Sequence, residues 1–190
     1  MPASPLRILL VSGSSRGGST NAAVLRTAAE VAPDGVKAVV YTAVGELPLF
    51  NPDDDRDGMP VDPRVADMRR ELAAADAVLI CTPEYAGALP AAMKNLLEWT
   101  IGDAGTYEKP VAWINAAGAA APTGAADAHD SLRKVLGYAG ACIVEAACAR
   151  IPVDRALVAE DGLIADAGVR NQISAAVGRL AEHAAAAGAE

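Results

Sequence analysis

The chain has 190 residues, 52% of them hydrophobic and only 4% aromatic, with a formal net charge of −8 and a pI of about 4.8. That size and apolar content suit a single domain over 1–190 with a core of Ala, Val, Leu and Ile, and exclude disorder over most of the length. The acidic balance excludes a nucleic-acid or anionic-membrane surface, and no apolar run approaches the roughly 20 residues that span a bilayer.

The first residues, Met1-Pro2-Ala3-Ser4-Pro5, lack a signal-peptide layout, so a cytoplasmic location is expected. Fraying is expected at 1–5 and from about 184 to 190. Leu6 to Val11 is nearly continuous in apolar residues, as in a parallel strand covered on both faces. A glycine and hydroxyl loop, Ser12–Asn21, follows and leads into a helix from about Ser19 to Ala32. After the turn Pro33-Asp34-Gly35, Val36 to Tyr41 reads as a second strand. Thr42 to Asp62 has no clear period and holds Pro48, Pro52, Gly58 and Pro60. Its apolar patch, Leu47-Pro48-Leu49-Phe50, is expected at a ligand edge or subunit contact, with local packing as the alternative. Asp62-Pro63 starts a helix with a capping carboxylate and a first-turn proline, and Val65, Met68 and Leu72 mark its buried face.

Asp76 to Cys81 is the third strand, Thr82 to Pro90 a loop, and Pro90 or Ala91 to about Ile101 a helix. Pro110 to Asn115 is the fourth strand and Ala116 to Gly124 a small-residue loop. Leu132, Val135, Leu136 and Ala139 give helical spacing, and Cys142 to Cys148 reads as a fifth strand. Asp154 to Asp166 is irregular, and a last helix carries Val169, Ile173, Val177 and Leu180. Alternating strands and helices imply an α/β domain with a parallel sheet. Ligands bind such sheets at the carboxyl ends of the strands, where Ser12–Asn21, Thr82–Pro90 and Ala116–Gly124 meet.

A strand, a glycine and hydroxyl loop and a helix start form a phosphate cradle, because the first helical amides lack partners and the helix dipole adds positive charge there. Gly13 and Gly18 sit five apart before Ser19-Thr20, but Ser19 stands where a nucleotide-hydrolysing P-loop needs its lysine. Gly13, Gly17 and Gly18 also miss the dinucleotide spacing. A cradle for one terminal phosphate remains.

Gly13-Ser14-Ser15-Arg16-Gly17-Gly18-Ser19-Thr20-Asn21 resembles the G-S-x-R-x-x-S-x-N loop of NADPH-dependent FMN reductases. Pro83-Glu84-Tyr85 with Gly87, Lys94-Asn95 and Glu98-Trp99 resembles that family's second signature, P-E-Y-N-G-S-x-P-G-x-L-K-N-x-x-D-W. The resemblance covers about Leu6 to Ile151. It implies a flavodoxin-like three-layer sandwich, a five-stranded parallel sheet of order 2-1-3-4-5 with helices on both faces. It implies FMN as cofactor, NADPH or NADH as donor, and a quinone, azo, metal-oxyanion or flavin acceptor by ping-pong kinetics. A homodimer or homotetramer is likewise implied, with no nucleic-acid or membrane partner.

Carried over by position, Ser14, Arg16, Ser19, Thr20 and Asn21 would bind the FMN phosphate. Pro83, Glu84, Tyr85, Ala86 and Gly87 would line the ring, largely through backbone groups, and Ala117 and Gly118 would cover its other edge. No side chain is expected to act as catalytic acid or base, since the flavin carries the chemistry. The chain departs from the family at Ala86, where Asn is usual, at Ala91-Ala92, and in the glycine-poor third loop. The competing readings are a flavodoxin-type electron carrier and an FMN-binding module without turnover.

The remaining motifs have plain readings. Cys81, Cys142 and Cys148 lie in or beside apolar runs and are expected to be small buried hydrophobes. Asp53-Asp54-Asp55-Arg56-Asp57-Gly58 begins like a calcium loop, but Arg64 stands where the closing Glu is needed, so a solvated acidic loop is expected. His129 and His183 are expected at the surface. Lys94, Asn95 and Trp99 are expected in structure or subunit contact, with Lys94 and Glu98 as a surface pair.

Overall fold

The structure is a computed structural model and describes residues 5–56, 58–118 and 120–188. The expectations that fall on residues 1–4, Asp57, Ala119 and 189–190 lie outside the described residues. The strands are β1 (Leu6–Ser12), β2 (Val36–Tyr41), β3 (Ala77–Cys81), β4 (Pro110–Asn115), β5 (Cys142–Ile143) and β6 (Ala149–Arg150). The helices are α1 (Thr20–Glu30), α2 (Pro63–Ala73), α3 (Ala91–Trp99), α4 (Ala126–Tyr138) and α5 (Ala167–Ala187). The sheet is parallel, in the order β2-β1-β3-β4-β5, with β6 also paired to β4.

Successive side chains of a strand point to opposite faces, and here both faces are apolar. Ile8, Leu10, Leu79 and Ile114 pack against α1 and α5. Leu9, Val11, Ile80 and Trp113 pack against α2, α3 and α4. The result is the three-layer arrangement and strand order that the resemblance implies. The order reverses between β1 and β3, so the crevice at that reversal opens at their carboxyl ends.

Four expectations need correction, the first that all three cysteines are buried: Cys81 is, but Cys142 and Cys148, at the edge-side end of the sheet, are only half-buried. The fifth strand is not continuous over Cys142–Cys148. β5 pairs with Pro110 and Val111, a 3₁₀ turn over Glu145–Ala147 interrupts it, and β6 resumes pairing at Ile114 and Asn115. Glu145-Ala146-Ala147 favours helix over strand, and Ala147 is fully buried in the layer that holds α5. The last helix also extends further than the expected end near Ala184, since α5 runs through Ala187 with Ala184 packed in the core. His129 is buried, not at the surface. Its Nδ1 lies 2.7 Å from the Ala125 carbonyl oxygen. Burial pushes its pKa down, so the neutral ring donates that hydrogen bond.

The long segment after β2 is pinned. Asn95 Nδ2 and Trp99 Nε1 both donate to the Pro48 carbonyl, at 2.9 and 2.8 Å, and Phe50 N donates to Asn95 Oδ1 at 2.8 Å. Phe50 meets Trp99 edge-on, with ring centroids 5.0 Å apart. Leu47 is buried and Leu49 is 83% exposed. Local packing therefore accounts for Leu47 and Phe50, and only Leu49 is left open. Lys94 and Glu98 form the surface pair, at 2.6 Å.

Candidate cofactor site

The β1–α1 loop leaves donors without acceptors. Ser19 is the N-cap of α1, yet its hydroxyl makes no capping bond although the residue is only 6% exposed. The first intrahelical bond is Ala23 N to the Ser19 carbonyl, so the amides of Thr20, Asn21 and Ala22 have no acceptor among the described residues. α2 and α5 begin differently, with Asp62 and Asp166 accepting from their own first turns. Beneath the loop the Cys81 thiol donates to Asn21 Oδ1 at 3.2 Å. Burial pushes that thiol up, so it stays protonated and its S–H is available to donate to the amide oxygen. Asn21 accepts there with its oxygen, and its Nδ2 donors remain for other partners. Cys81 is thus buried, as expected, and also orients Asn21.

The β3–α3 loop touches the first loop directly. Gly13 N donates to the Cys81 carbonyl at 2.9 Å. A Cβ built on Gly13 would sit 2.0 Å from Thr82 Oγ1 and 3.0 Å from Thr82 Cα. Further along, Glu84 reaches across to the third loop, where its carboxylate accepts from Thr123 Oγ1 at 2.5 Å and Ala128 N at 3.1 Å. It caps α4 from another loop, since Ala125 at the N-cap position has no side chain for the task. The Thr123 hydroxyl first, then the α4 amides, hold the Glu84 carboxyl below its usual range.

Tyr85 and Ala88 exchange both backbone hydrogen bonds, at 3.1 and 3.2 Å. Ala86 and Gly87 between them have φ of +53° and +71°. A two-residue hairpin turn with both central residues at positive φ favours Asn-Gly, because Asn tolerates the left-handed region and Ala does not. The usual Asn of the resembled signature therefore has a conformational reason here. Ala86→Asn is expected to raise stability by about 0.5–1 kcal/mol, which for a chain of this size is a melting-temperature increase of roughly 2–3 °C. Thermal unfolding followed by circular dichroism checks it, and an unchanged or lower midpoint would contradict the turn assignment.

In the third loop, Asn115 at the end of β4 donates to the Gly124 carbonyl at 2.8 Å and accepts from Ala117 N at 3.0 Å. The three loops enclose a cavity of about 270 Å³ that brings together Thr20, Asn21, Pro83, Glu84, Ala117 and Gly118. Ser14 and Arg16 line a neighbouring cavity of about 360 Å³ on the β2 side, with Thr42 and Gly45. Ser19 lies in the N-cap position between Gly18 and Thr20. Tyr85, Ala86 and Gly87 form the turn beside the first cavity and do not line it. Sequence reasoning missed Thr82, Thr123 and Val153, which also line it. Thr82 was readable as the residue directly after a strand. Thr123 falls within the Ala116–Gly124 loop that the sequence places at this end of the sheet, whereas Val153 carries no local signal, because tertiary packing alone brings it there.

A larger groove of about 680 Å³ lies between Leu6, Val36 and α5. It sits at the amino ends of β1 and β2, away from the end where such sheets bind ligands. Among the described residues no group of His, Cys, Asp and Glu could hold a metal ion. Asp55, within the calcium-like run, instead pairs with Arg69.

The family model described as NADPH-dependent FMN reductase matches residues 6–153. A 2-hydroxy-1,4-benzoquinone reductase of Burkholderia sp is 35% identical over 137 residues, which is 70% of this chain and 71% of that one. An NAD(P)H-dependent FMN reductase of Pseudomonas aeruginosa is 36% identical over 94 residues, 50% of this chain and 49% of its own. The chain spans about half the length of the first curated relatives it matches. Among solved structures, the flavoenzyme NAD(P)H:(acceptor) oxidoreductase FerB from Paracoccus denitrificans superposes with a TM-score of 0.77 at 25% identity, covering 94% of this chain and 98% of that one. A flavodoxin, WrbA-like protein from Agrobacterium tumefaciens shares the fold at a TM-score of 0.64 and 16% identity, covering 96% of this chain and 99% of that one. The fold is flavodoxin-like, and the chain belongs to the NADPH-dependent FMN reductase family.

Proposed function

We propose that the protein is an NAD(P)H-dependent FMN oxidoreductase that passes electrons to a small acceptor of the quinone class by ping-pong kinetics. The observation that carries the reading is the convergence of three loops at the β1/β3 reversal, with unpartnered amides and the uncapped hydroxyl of the mostly buried Ser19 at one end. Those donors fit a terminal phosphate, and the adjoining walls of Pro83, Ala116, Ala117 and Gly118 fit a flat ring approached closely by backbone. Bound FMN supplies hydride acceptance from a nicotinamide and onward electron delivery. The chain's residues bind and orient: Thr20 and Asn21 at the phosphate end, Pro83 and the Ala117-Gly118 backbone along the ring. Ser14 and Arg16 approach the phosphate from the β2 side, and Tyr85, Ala86 and Gly87 shape the rim. Glu84 acts through its cap on α4, fixing the spacing of two walls. No side chain here is assigned a proton-transfer role. Exposed Ile101 and Tyr138 flank an apolar groove between α3 and α4, which supports pairing into a homodimer in solution. Among the described residues no helix is long and apolar enough to cross a membrane, and we place the protein in the cytoplasm.

The test is spectroscopic. The protein reconstituted with FMN is expected to be yellow and to bleach rapidly when NADPH or NADH is added without oxygen. Bleaching by dithionite but by neither nicotinamide would instead make it an electron carrier, and failure to take up FMN would sink the reading.

A further inference from the structure

The wall that faces Gly18 carries a cation that neither sequence motif contains. After β6 the chain passes the main cavity at Val153, which lines it, and enters a 3₁₀ turn over Arg155–Leu157. That turn is held in place. Asp154 accepts from Ala156 N at 3.0 Å, Val158 bridges Ile164, and Ala165 N donates to the Leu157 carbonyl at 3.2 Å. Gly18 has φ of +66°, and a Cβ built on it would lie 4.0 Å from an Nη of Arg155. The guanidinium therefore sits against the tip of the β1–α1 loop.

Among the described residues Arg155 has no ion pair and no side-chain hydrogen bond, whereas Arg7, Arg69, Arg133 and Arg170 are all paired with carboxylates. An unpaired guanidinium is notable in a chain of net charge −8. Ser19, the residue after Gly18, is only 6% exposed, and its hydroxyl makes no hydrogen bond among the described residues. A hydroxyl in so enclosed a residue, left without a protein partner, is free to donate to a ligand oxygen that reaches it. Arg16, also unpaired among the described residues, lines the cavity on the β2 side, while Arg155 comes from the β6 side. An anion at Ser19 and the α1 amides would lie between two guanidiniums, which are suited to phosphate oxygens by their fork geometry.

We propose that Arg155 is a phosphate-binding residue that grips the terminal phosphate of FMN from the β6 side, opposite Arg16. The proposal rests on the FMN reading above and adds a residue to that site. It makes the segment after β6 part of the cofactor's specificity for a phosphorylated flavin.

FMN and riboflavin share the ring and differ in the phosphate, so the pair isolates this contact. Both are titrated into the apo-protein by fluorescence quenching, for the parent, Arg155→Ala, Arg155→Lys and, as a charge control, Arg179→Ala on the exposed side of α5. Arg155→Ala is expected to raise the Kd for FMN about tenfold, the scale of one charge-assisted contact, and to leave riboflavin unchanged. Arg155→Lys is expected to recover part of the loss, and Arg179→Ala to show none. Equal weakening of FMN and riboflavin would make Arg155 merely structural and overturn the proposal, as would no change for FMN. A parent protein that binds neither flavin would remove the FMN reading itself and this inference with it.

Discussion

Gly13→Ala is expected to lower the unfolding free energy by about 2 kcal/mol and to weaken FMN binding at least about tenfold. The reason is a single close approach. Gly13 lies where β1 hands over to the phosphate loop, hydrogen-bonded through its amide to the Cys81 carbonyl, and a methyl there would overlap Thr82 at the start of the β3–α3 loop. The nearest atom, Thr82 Oγ1, belongs to a buried side chain, and the Thr82 Cα behind it is backbone directly after β3. Neither can give way alone, so the two loops must separate. The cavity between them is where Thr20 and Asn21 face Pro83 and Glu84, so its width changes with that separation. Gly17, four residues on, meets nothing within 4 Å of a built Cβ and has no positive φ. Gly17→Ala is therefore expected to match the parent's stability within about 0.5 kcal/mol. Urea unfolding and FMN titration of the two variants make the comparison. If Gly13→Ala behaved like Gly17→Ala, the loops would not depend on this contact.

The same loop shows what a sequence can and cannot carry. The strand-to-helix order, the doubly buried strands and the parallel sheet were legible because hydrophobic period and turn residues are local properties. β2 and β4 run over Val36–Tyr41 and Pro110–Asn115, as read. The split of the fifth strand was not legible. Cys142 to Cys148 looks apolar enough to extend, and the helix preference of Glu145-Ala146-Ala147 yields a one-turn detour only together with the packing of Ala147 into the layer with α5. In the site, Ser19, Thr20 and Asn21 sit at the N-terminus of α1 because a motif at a helix start has a defined geometry. Glu84 was read as a ring neighbour through its backbone, yet its carboxylate also spans to Thr123 and Ala128, some 40 residues along the chain. Arg155 had no motif at all. Contacts made across the chain leave no spacing to read, so the cap on α4 and the guanidinium beside Gly18 emerge only from the folded arrangement.

The cluster around Arg69 is expected to dominate stability outside the core. Arg69 Nη2 donates to Asp55 Oδ2 at 2.8 Å and to the Trp99 carbonyl at 2.7 Å, its Nε donates to the same carbonyl at 3.1 Å, and Asp103 lies 3.4 Å away. The side chains of Arg69 and Asp55 are only 15% and 7% exposed. One guanidinium thus joins α2, the carboxyl end of α3 and the acidic loop that resembles a calcium site. Arg69→Ala leaves a buried carboxylate and a helix-terminal carbonyl without partners, and is expected to lower the unfolding free energy by about 3–5 kcal/mol. The double variant Asp55→Ala with Arg69→Ala removes the stranded charge as well. It is expected to be less destabilised than the sum of the singles by more than about 1 kcal/mol. Urea unfolding of the four proteins gives that coupling directly, and additive values would show that Arg69 and Asp55 do not act as a pair. Neither residue lines the cavity between the three loops, so Arg69→Ala protein that remains folded is expected to bind FMN as the parent does. That outcome would separate the framework holding the 42–62 segment from the loops that hold the cofactor, and a loss of FMN affinity would show that the two are mechanically joined.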